Sequence, residues 1–214
     1  AACAAIGLAA RTSPEPLPET VAEKLFRLMR RTEVSERTVL EAAVRCVGDA
    51  FLGTKPLPWE SEALDALFDL SESKSEEVLC AVGDALCFAA MGRSAGNYRD
   101  PLDPSANNNS SSGSLSFWEP KSLENVPENT RETPMRTILE RIRALAGTSQ
   151  LRRSAASVWL CALAAYCGRH TLIQESRCGI QACFLSLLAD PNSLTQEAAS
   201  RGLVALYETG DEAS

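Results

Sequence analysis

A short motif, which begins with two small residues or in one copy with Ala81-Val82, recurs five times along the chain and constrains its fold more than any other feature. In each copy, a large apolar residue follows five places after the first small one. The copies begin at the following residues: Cys3, Ala42, Ala81, Ala155 and Ala198. From 3 to 42 and from 42 to 81 is 39 residues, and from 155 to 198 is 43. The regular spacing predicts a repeat protein with units of about 40 residues.

The composition indicates that these units are helical. Hydrophobic residues make up 45% of the chain but aromatic residues only 6%, and most of the apolar residues are Ala and Leu, which favour helix. Units of about 40 residues with two helices each are typical of HEAT and armadillo solenoids, whereas WD40 units of similar length need four strands. We therefore predict an all-α superhelix of about four helix pairs, preceded by an orphan helix. An ordinary helical bundle with chance similarity between its helices is the alternative.

We call the helix that carries the motif the B helix and its preceding partner the A helix. The B helices are predicted at 35–52, 75–92, 149–167 and 193–208. Each A helix is predicted from an apolar stripe, such as Ile138, Ile142 and Leu145. Serines precede the B helices as expected N-caps: Ser35, Ser75, Ser149 and Ser193. Because the first motif copy has no A helix before it, we expect the chain to be a slice of a longer solenoid that contacts flanking repeats of its own parent chain.

The period is interrupted between the second and third pairs. Residues 93–131 include the polar run SANNNSSSGSLS and several prolines, a composition typical of disorder. We predict repeats over 1–92, a largely disordered insertion over 93–131, and repeats over 132–214. Trp118 within the insertion is a candidate anchor for a partner, since aromatic residues dominate binding hot spots. The alternative is that it folds back on the neighbouring helices.

Several function classes are disfavoured by the sequence. A net charge of −7 argues against nucleic acid as a partner, and no apolar run reaches the roughly 18 residues of a membrane span. The chain has neither a phosphate-binding loop nor a nucleophile elbow. Its single histidine, His170 in GRHTL, is expected at the surface at a helix end rather than as a general base. We therefore expect no enzymatic activity and no cofactor.

The eight cysteines show no C-x-x-C spacing and are spread through apolar helical segments, where a free cysteine behaves as a small hydrophobe. We expect free, buried thiols, which is typical of the cytosol or nucleus. Disulfides and a metal site are the alternatives, although a structural zinc site would need ligands clustered in short turns.

Two groups of arginines flank predicted turns within the helix pairs. The first group is Arg27, Arg30, Arg31 and Arg37, and the second is Arg136, Arg141, Arg143, Arg152 and Arg153. Such turns lie along one edge of a solenoid, so both groups are candidate contacts for an acidic protein partner. The alternative is that they are solvated arginines paired with nearby glutamates.

Three B-helix segments are more specific than a general HEAT pattern. EEVLCAVGDALCFAA, RRSAASVWLCALAAY and LTQEAASRGLVALYETGDE resemble, in order and spacing, the giant HEAT-repeat proteasome adaptor and scaffold family. The resemblance covers 75–92 and 150–212 best, is weaker over 1–60 and is absent from the insertion. It implies a non-enzymatic α-solenoid in the cytoplasm or nucleus. It also implies that this solenoid binds subunits of the 26S proteasome and tethers its core and regulatory particles.

A generic HEAT interaction scaffold, such as a nuclear transport receptor or a kinase or phosphatase complex subunit, is the competing class. A receptor of the importin type is expected to carry acidic inner helices, whereas this chain has arginine-rich turns. A HEAT-type enzyme would need carboxylates or histidines clustered on its B helices, and the sequence lacks them.

Overall fold

The computed structural model describes residues 2–30, 37–53, 55–92 and 132–210, and in these ranges it contains ten α-helices and no strand. The helices have the following bounds: α1 (Ala2–Thr12), α2 (Glu19–Met29), α3 (Arg37–Phe51), α4 (Glu60–Phe68), α5 (Glu76–Met91), α6 (Glu132–Leu145), α7 (Gln150–Cys167), α8 (Thr171–Glu175), α9 (Arg177–Leu187) and α10 (Ser193–Glu208). A 3₁₀ turn, Asp69–Glu72, follows α4.

The helices form a stacked solenoid of the HEAT or armadillo type. The B helices pack side by side in the order α1, α3, α5, α7 and α10, and each of the last four carries its own A helix, namely α2, α4, α6 and α9. The predicted all-α superhelix with four pairs and an orphan first helix is therefore confirmed. The last A helix is split, because the short α8 precedes α9.

Small residues on the B helices allow the close stacking. A Cβ atom added to Gly48 would lie 3.0 Å from the Cβ of Ala85 on the next B helix, and one added to Gly202 would collide with the ring of Phe184. Large apolar residues at the fifth place of the motif fill the space between pairs, since Val47, Leu86 and Leu160 are fully buried. The buried side chains of all pairs form one continuous core.

The predicted register of the first motif copy is wrong by two residues. Gly7 of α1 lies against Asp49 of α3, as Gly48 of α3 lies against Ala85 of α5. Gly7 therefore corresponds to Gly48, six places after the first small residue of the motif, and not to Cys46, four places after it. The segment AACAAIGLAA is so rich in alanine that its sequence fits both registers.

The structure confirms the predicted N-cap serines only in part. The Ser75 hydroxyl accepts a hydrogen bond from the Val78 amide at 3.4 Å, whereas Ser149 occupies the N-cap position without a side-chain hydrogen bond. Ser193 was predicted as the cap of the last helix, but Asn192 has that role, with Oδ1 accepting from the Thr195 amide at 3.1 Å. Ser35 lies outside the described residues.

The stack continues across the insertion. The Trp159 indole of α7 donates to the Leu79 carbonyl of α5 at 2.9 Å, and its ring packs edge-on against Phe68 of α4 with centroids 5.4 Å apart. The second and third pairs are thus joined directly by contacts of the described residues. The insertion itself, including Trp118, lies outside them, and the domain boundaries proposed for it stay a prediction.

Candidate partner-binding edge

The described members of the two arginine groups lie on A helices or at the starts of B helices. Arg27 belongs to α2, Arg30 follows it and Arg37 begins α3, whereas the second group lies on α6 and the first turn of α7. Arg31 lies outside the described residues. The contacts of the two groups differ, and they decide which guanidinium groups are available to a partner.

Arg141 and Arg152 hold the second and third pairs together. Arg141 donates to Asp65 at 2.8 Å and places its guanidinium 4.0 Å from the centre of the Phe68 ring. Arg152 pairs with Glu72 at 3.0 Å, with both side chains close to half exposed. A cation over an aromatic face adds to an ion pair, whereas an exposed pair alone contributes little. Arg141 is therefore the stronger of the two connections.

Arg153 joins two turns through a buried carboxylate. Its Nε donates to the Asp190 carboxylate at 2.5 Å, and its Nη1 donates to the Thr148 carbonyl at 2.8 Å. The Asp190 side chain is only 2% exposed and also accepts from the Asn192 amide at 2.9 Å. Removing one partner of a buried pair leaves an uncompensated charge. Arg153 therefore has a structural role in this edge.

Arg136 and Arg143 are exposed residues of α6. Arg136 donates to Glu132 at 2.7 Å, one turn earlier on the same helix, and this hydrogen bond raises the pKa of its guanidinium. Arg143 is exposed and lies against Gly179 of α9. Burial raises the pKa of the nearby Cys183 thiol, and the positive charge of Arg143 opposes that effect. Arg136 therefore has an ion-pair partner, whereas Arg143 forms no ion pair within the described ranges.

The first group is the less compensated one. Arg27 and Arg30 are exposed and have no ion-pair partner in the part of the chain that the structure describes. Lys24, one helical turn earlier, extends them into a basic stripe at every third residue along α2. The 24, 27, 30 spacing was visible in the sequence, although the prediction did not include Lys24. Arg37 approaches Glu77, whose pKa is lowered mainly by the Ser75 hydroxyl and slightly by Arg37.

His170 is buried, and the prediction that it lies at the surface is wrong. Its side chain is at the start of α8 as expected, but it is only 5% exposed. Its Nδ1 accepts from the Leu172 amide at 3.2 Å, and its buried Nε2 has no hydrogen-bond partner among the residues that the structure describes. Burial lowers the pKa of the imidazole, although Glu132 and Glu175 act in the opposite direction. The prediction placed His170 at the surface because GRHTL looks like an ordinary polar turn.

The described residues contain no group of three or more His, Cys, Asp or Glu side chains arranged to hold a metal ion. All eight cysteines are free thiols, but Cys178 is exposed, so the prediction of buried thiols is wrong for that residue. Burial raises the pKa of Cys46 and of Cys161 to about 12. Within the same ranges, no helix combines the length and the apolar surface that crossing a membrane would take.

No protein-family model matches the chain. Over 99% of its length the chain is 27% identical to the proteasome adapter and scaffold protein ECM29 of Homo sapiens, and it spans 11% of that relative's length.

Two solved structures are similar at 16% sequence identity. One is an engineered protein, with 97% of this chain and 74% of that chain covered and a TM-score of 0.43. The other is a designed armadillo repeat protein, with 96% and 92% covered and a TM-score of 0.34. Over nearly its whole length, this chain is similar to one segment of a proteasome adapter and scaffold protein, and the resemblance seen in its B helices is thereby confirmed.

Proposed function

We propose that this chain is part of a non-catalytic scaffold that binds the 26S proteasome and tethers or stabilises its core and regulatory particles in the cytoplasm or nucleus. The observation that carries the proposal is the 27% identity with the human adapter and scaffold protein across 99% of the chain. The role of the whole relative is carried over as a hypothesis, because the match spans 11% of it. A solenoid suits this role, since it presents an extended surface to large partners.

The partner surface is proposed to be acidic and to meet the uncompensated arginines first. Arg27 and Arg30, with Lys24 beside them, offer exposed positive charge that no described carboxylate neutralises. Arg143 offers a further charge on α6. Exposed charges of this kind govern the rate and the salt dependence of association more than the final affinity.

The remaining arginines support the edge in a different way. Arg136, Arg141 and Arg152 are engaged in ion pairs with side chains of the same chain. A partner carboxylate would have to compete with those pairs. Arg153 is the least available, because its loss would leave Asp190 buried without its counter-ion.

Charge reversal in the full-length gene product tests the proposal. Arg27→Glu combined with Arg30→Glu should reduce co-purification of proteasome subunits from cells at low salt. Lys55→Glu combined with Lys74→Glu is the charge-matched control, since both lysines are exposed and lie outside the candidate groups, and Lys55 loses only an exposed ion pair with Glu15. If both double variants co-purified proteasome subunits to the same extent, the proposal that Arg27 and Arg30 contact the partner would be contradicted.

The family-based function has a separate outcome. If the unmutated full-length protein does not co-purify with proteasomes at low salt, the proposal that it binds the proteasome is wrong. The competing class, a generic HEAT interaction scaffold such as a transport receptor or a kinase or phosphatase complex subunit, would then replace it.

A further inference from the structure

The short helix α8 ties the end of α7 to the end of α10. The Gln174 side-chain amide donates to the Gly168 carbonyl, directly after α7, and at 3.1 Å to the Thr209 carbonyl, directly after α10. Gly168 and Thr209 are also in contact, since a Cβ atom added to Gly168 would collide with the Thr209 side chain. Whatever holds α8 in place therefore also helps to hold the ends of two B helices together.

The start of α8 is held by the imidazole of His170. Its Nδ1 accepts from the Leu172 amide, and the His170 carbonyl accepts from the Gln174 amide at 3.1 Å. A ring nitrogen that accepts a hydrogen bond carries no proton, so the neutral ring must carry its proton on Nε2. That N–H group is buried and finds no acceptor among the described residues. The cap of α8 thus requires the neutral ring.

Protonation of His170 would remove this cap. In the imidazolium both nitrogens carry a proton and neither can accept a hydrogen bond, so the Leu172 amide would lose its partner. The charge would also be buried, because the side chain is only 5% exposed, and a buried charge without a partner is costly. Burial accordingly lowers the pKa of the imidazole, so the neutral ring and the closed cap prevail at neutral pH.

The charges around the imidazole favour its movement toward the surface once it is protonated. Glu132 at the start of α6 and Glu175 at the end of α8 attract the imidazolium, and both are exposed. Arg136 of α6 pairs with Glu132 and is also attracted by Glu175, so it competes for the same carboxylates. The other ionisable side chains in the adjoining stretches of α7 and α9 are the following: Tyr166, Cys167, Arg169, Arg177 and Cys178. Exposed carboxylates stay charged well below neutral pH, so a released imidazolium finds counter-ions there.

We infer that His170 and α8 form a pH-sensitive switch at one end of the fourth helix pair. With the neutral ring, the cap is closed and Gln174 joins the ends of α7 and α10. With the protonated ring, the imidazole leaves the core toward the two carboxylates, α8 unwinds at its start and the Gln174 bridge is lost. The change is local, because buried contacts such as that of the Ser157 hydroxyl with the Thr195 carbonyl at 2.7 Å hold α7 against α10 independently. The inference does not depend on proteasome binding.

Amide hydrogen exchange at pH 7.5 and pH 5, expressed as protection factors, tests this in the 214-residue chain. The amides of 172–176 should lose about tenfold of their protection at pH 5, and those of Thr209 and Gly210 should lose protection with them. The amides of 155–163 in α7 are the reference and should keep theirs. Unchanged protection over 172–176 would overturn the inference, as would an equal loss over 155–163. Protection retained at Thr209 and Gly210 would overturn the coupling of α8 to α10.

A His170→Asn variant isolates the contribution of the imidazole. Asparagine is a preferred N-cap residue that does not titrate, so protection over 172–176 should be the same at both pH values. A loss as large as that of the unmodified chain would contradict the switch. Because His170 is the only histidine, the chemical shifts of its ring nitrogens provide a second measurement that needs no variant. The proton should lie on Nε2 at pH 7.5, and a proton on Nδ1 would contradict the cap.

Discussion

One sequence pattern predicted both the arginines of α7 and those of α2 as partner contacts, yet the structure gives the two groups different surroundings. Arg153 meets a carboxylate that is almost fully buried, whereas Arg27 and Arg30 face solvent without a described counter-ion. The comparison teaches that the burial of the partner, rather than the arginine itself, decides whether such a residue stabilises the fold. Arg153 of α7 thus contributes to the fold, whereas the α2 stripe is the part of the edge that we propose for partner contact.

The largest expected effect comes from the aromatic centre of the α7 region. Trp159→Ala should lower the free energy of unfolding by about 4 kcal/mol, because it removes a fully buried ring packed on Phe68. Urea denaturation measures the change. Tyr207→Ala is the control on an exposed aromatic, which loses only surface contacts with Gln181 and Arg177, and it should change the free energy of unfolding by less than about 1 kcal/mol. Similar losses for the two variants would break the distinction between buried and exposed aromatic residues.

The next effect separates two neighbouring arginines. Arg153→Ala should cost about 3 kcal/mol because it leaves the buried Asp190 unpaired. Arg152→Ala removes only an exposed ion pair with Glu72 and should cost less than about 1 kcal/mol. Urea midpoints of the two variants provide the comparison, and equal midpoints would show that the burial of Asp190 does not matter.

A pH-dependent loss of stability is expected at His170. Burial lowers the pKa of its imidazole in the folded state below the ordinary value of 6.5. The unfolded chain therefore binds the proton more readily, and stability falls as the pH drops from about 6.5 through the folded-state pKa. Urea midpoints at pH 7.5 and 5 measure the fall. His170→Gln should make the fall shallower, and an unchanged slope would assign it to other groups.

The smallest effect is expected on the α2 stripe. Arg27→Ala and Arg30→Ala should each change the free energy of unfolding by less than about 0.5 kcal/mol, since neither side chain has a described ion-pair partner. Thermal unfolding with circular dichroism is sufficient to see this. A loss above about 1 kcal/mol would mean that these arginines, like Arg153, are structural.

The repeat period predicted much of the fold because it records a packing requirement. The predicted B helices at 75–92, 149–167 and 193–208 agree with α5, α7 and α10 to within one residue at each end. Small residues must recur wherever helices approach closely, so their spacing carries the architecture. The motif copy in α1 was misaligned because alanine occupies most of its positions and no bulky residue fixes the register.

The ion pairs of the edge could not be predicted in the same way. Arg141 and Asp65 are 76 residues apart, and their meeting depends on how one pair rotates relative to the next. The burial of Asp190 likewise results from the packing of two turns against each other. The sequence carried one local signal there, the DPN run, in which the Asp190 side chain accepts from the Asn192 amide.

The side chains between neighbouring A helices are larger than those between neighbouring B helices, and this difference determines how a stack of this kind bends. B helices touch along seams of glycine, alanine and cysteine, whereas neighbouring A helices, whose apolar faces consist mostly of leucine, isoleucine and phenylalanine, contact one another little. Helix spacing follows side-chain size, so each pair is inclined toward the B side and the inclinations accumulate. We expect the B helices to line the inner surface of such a curve. Arg27 on α2 and Arg143 on α6 are exposed residues of the A helices, and a bulky assembly could then reach them from outside the curve without entering the superhelix.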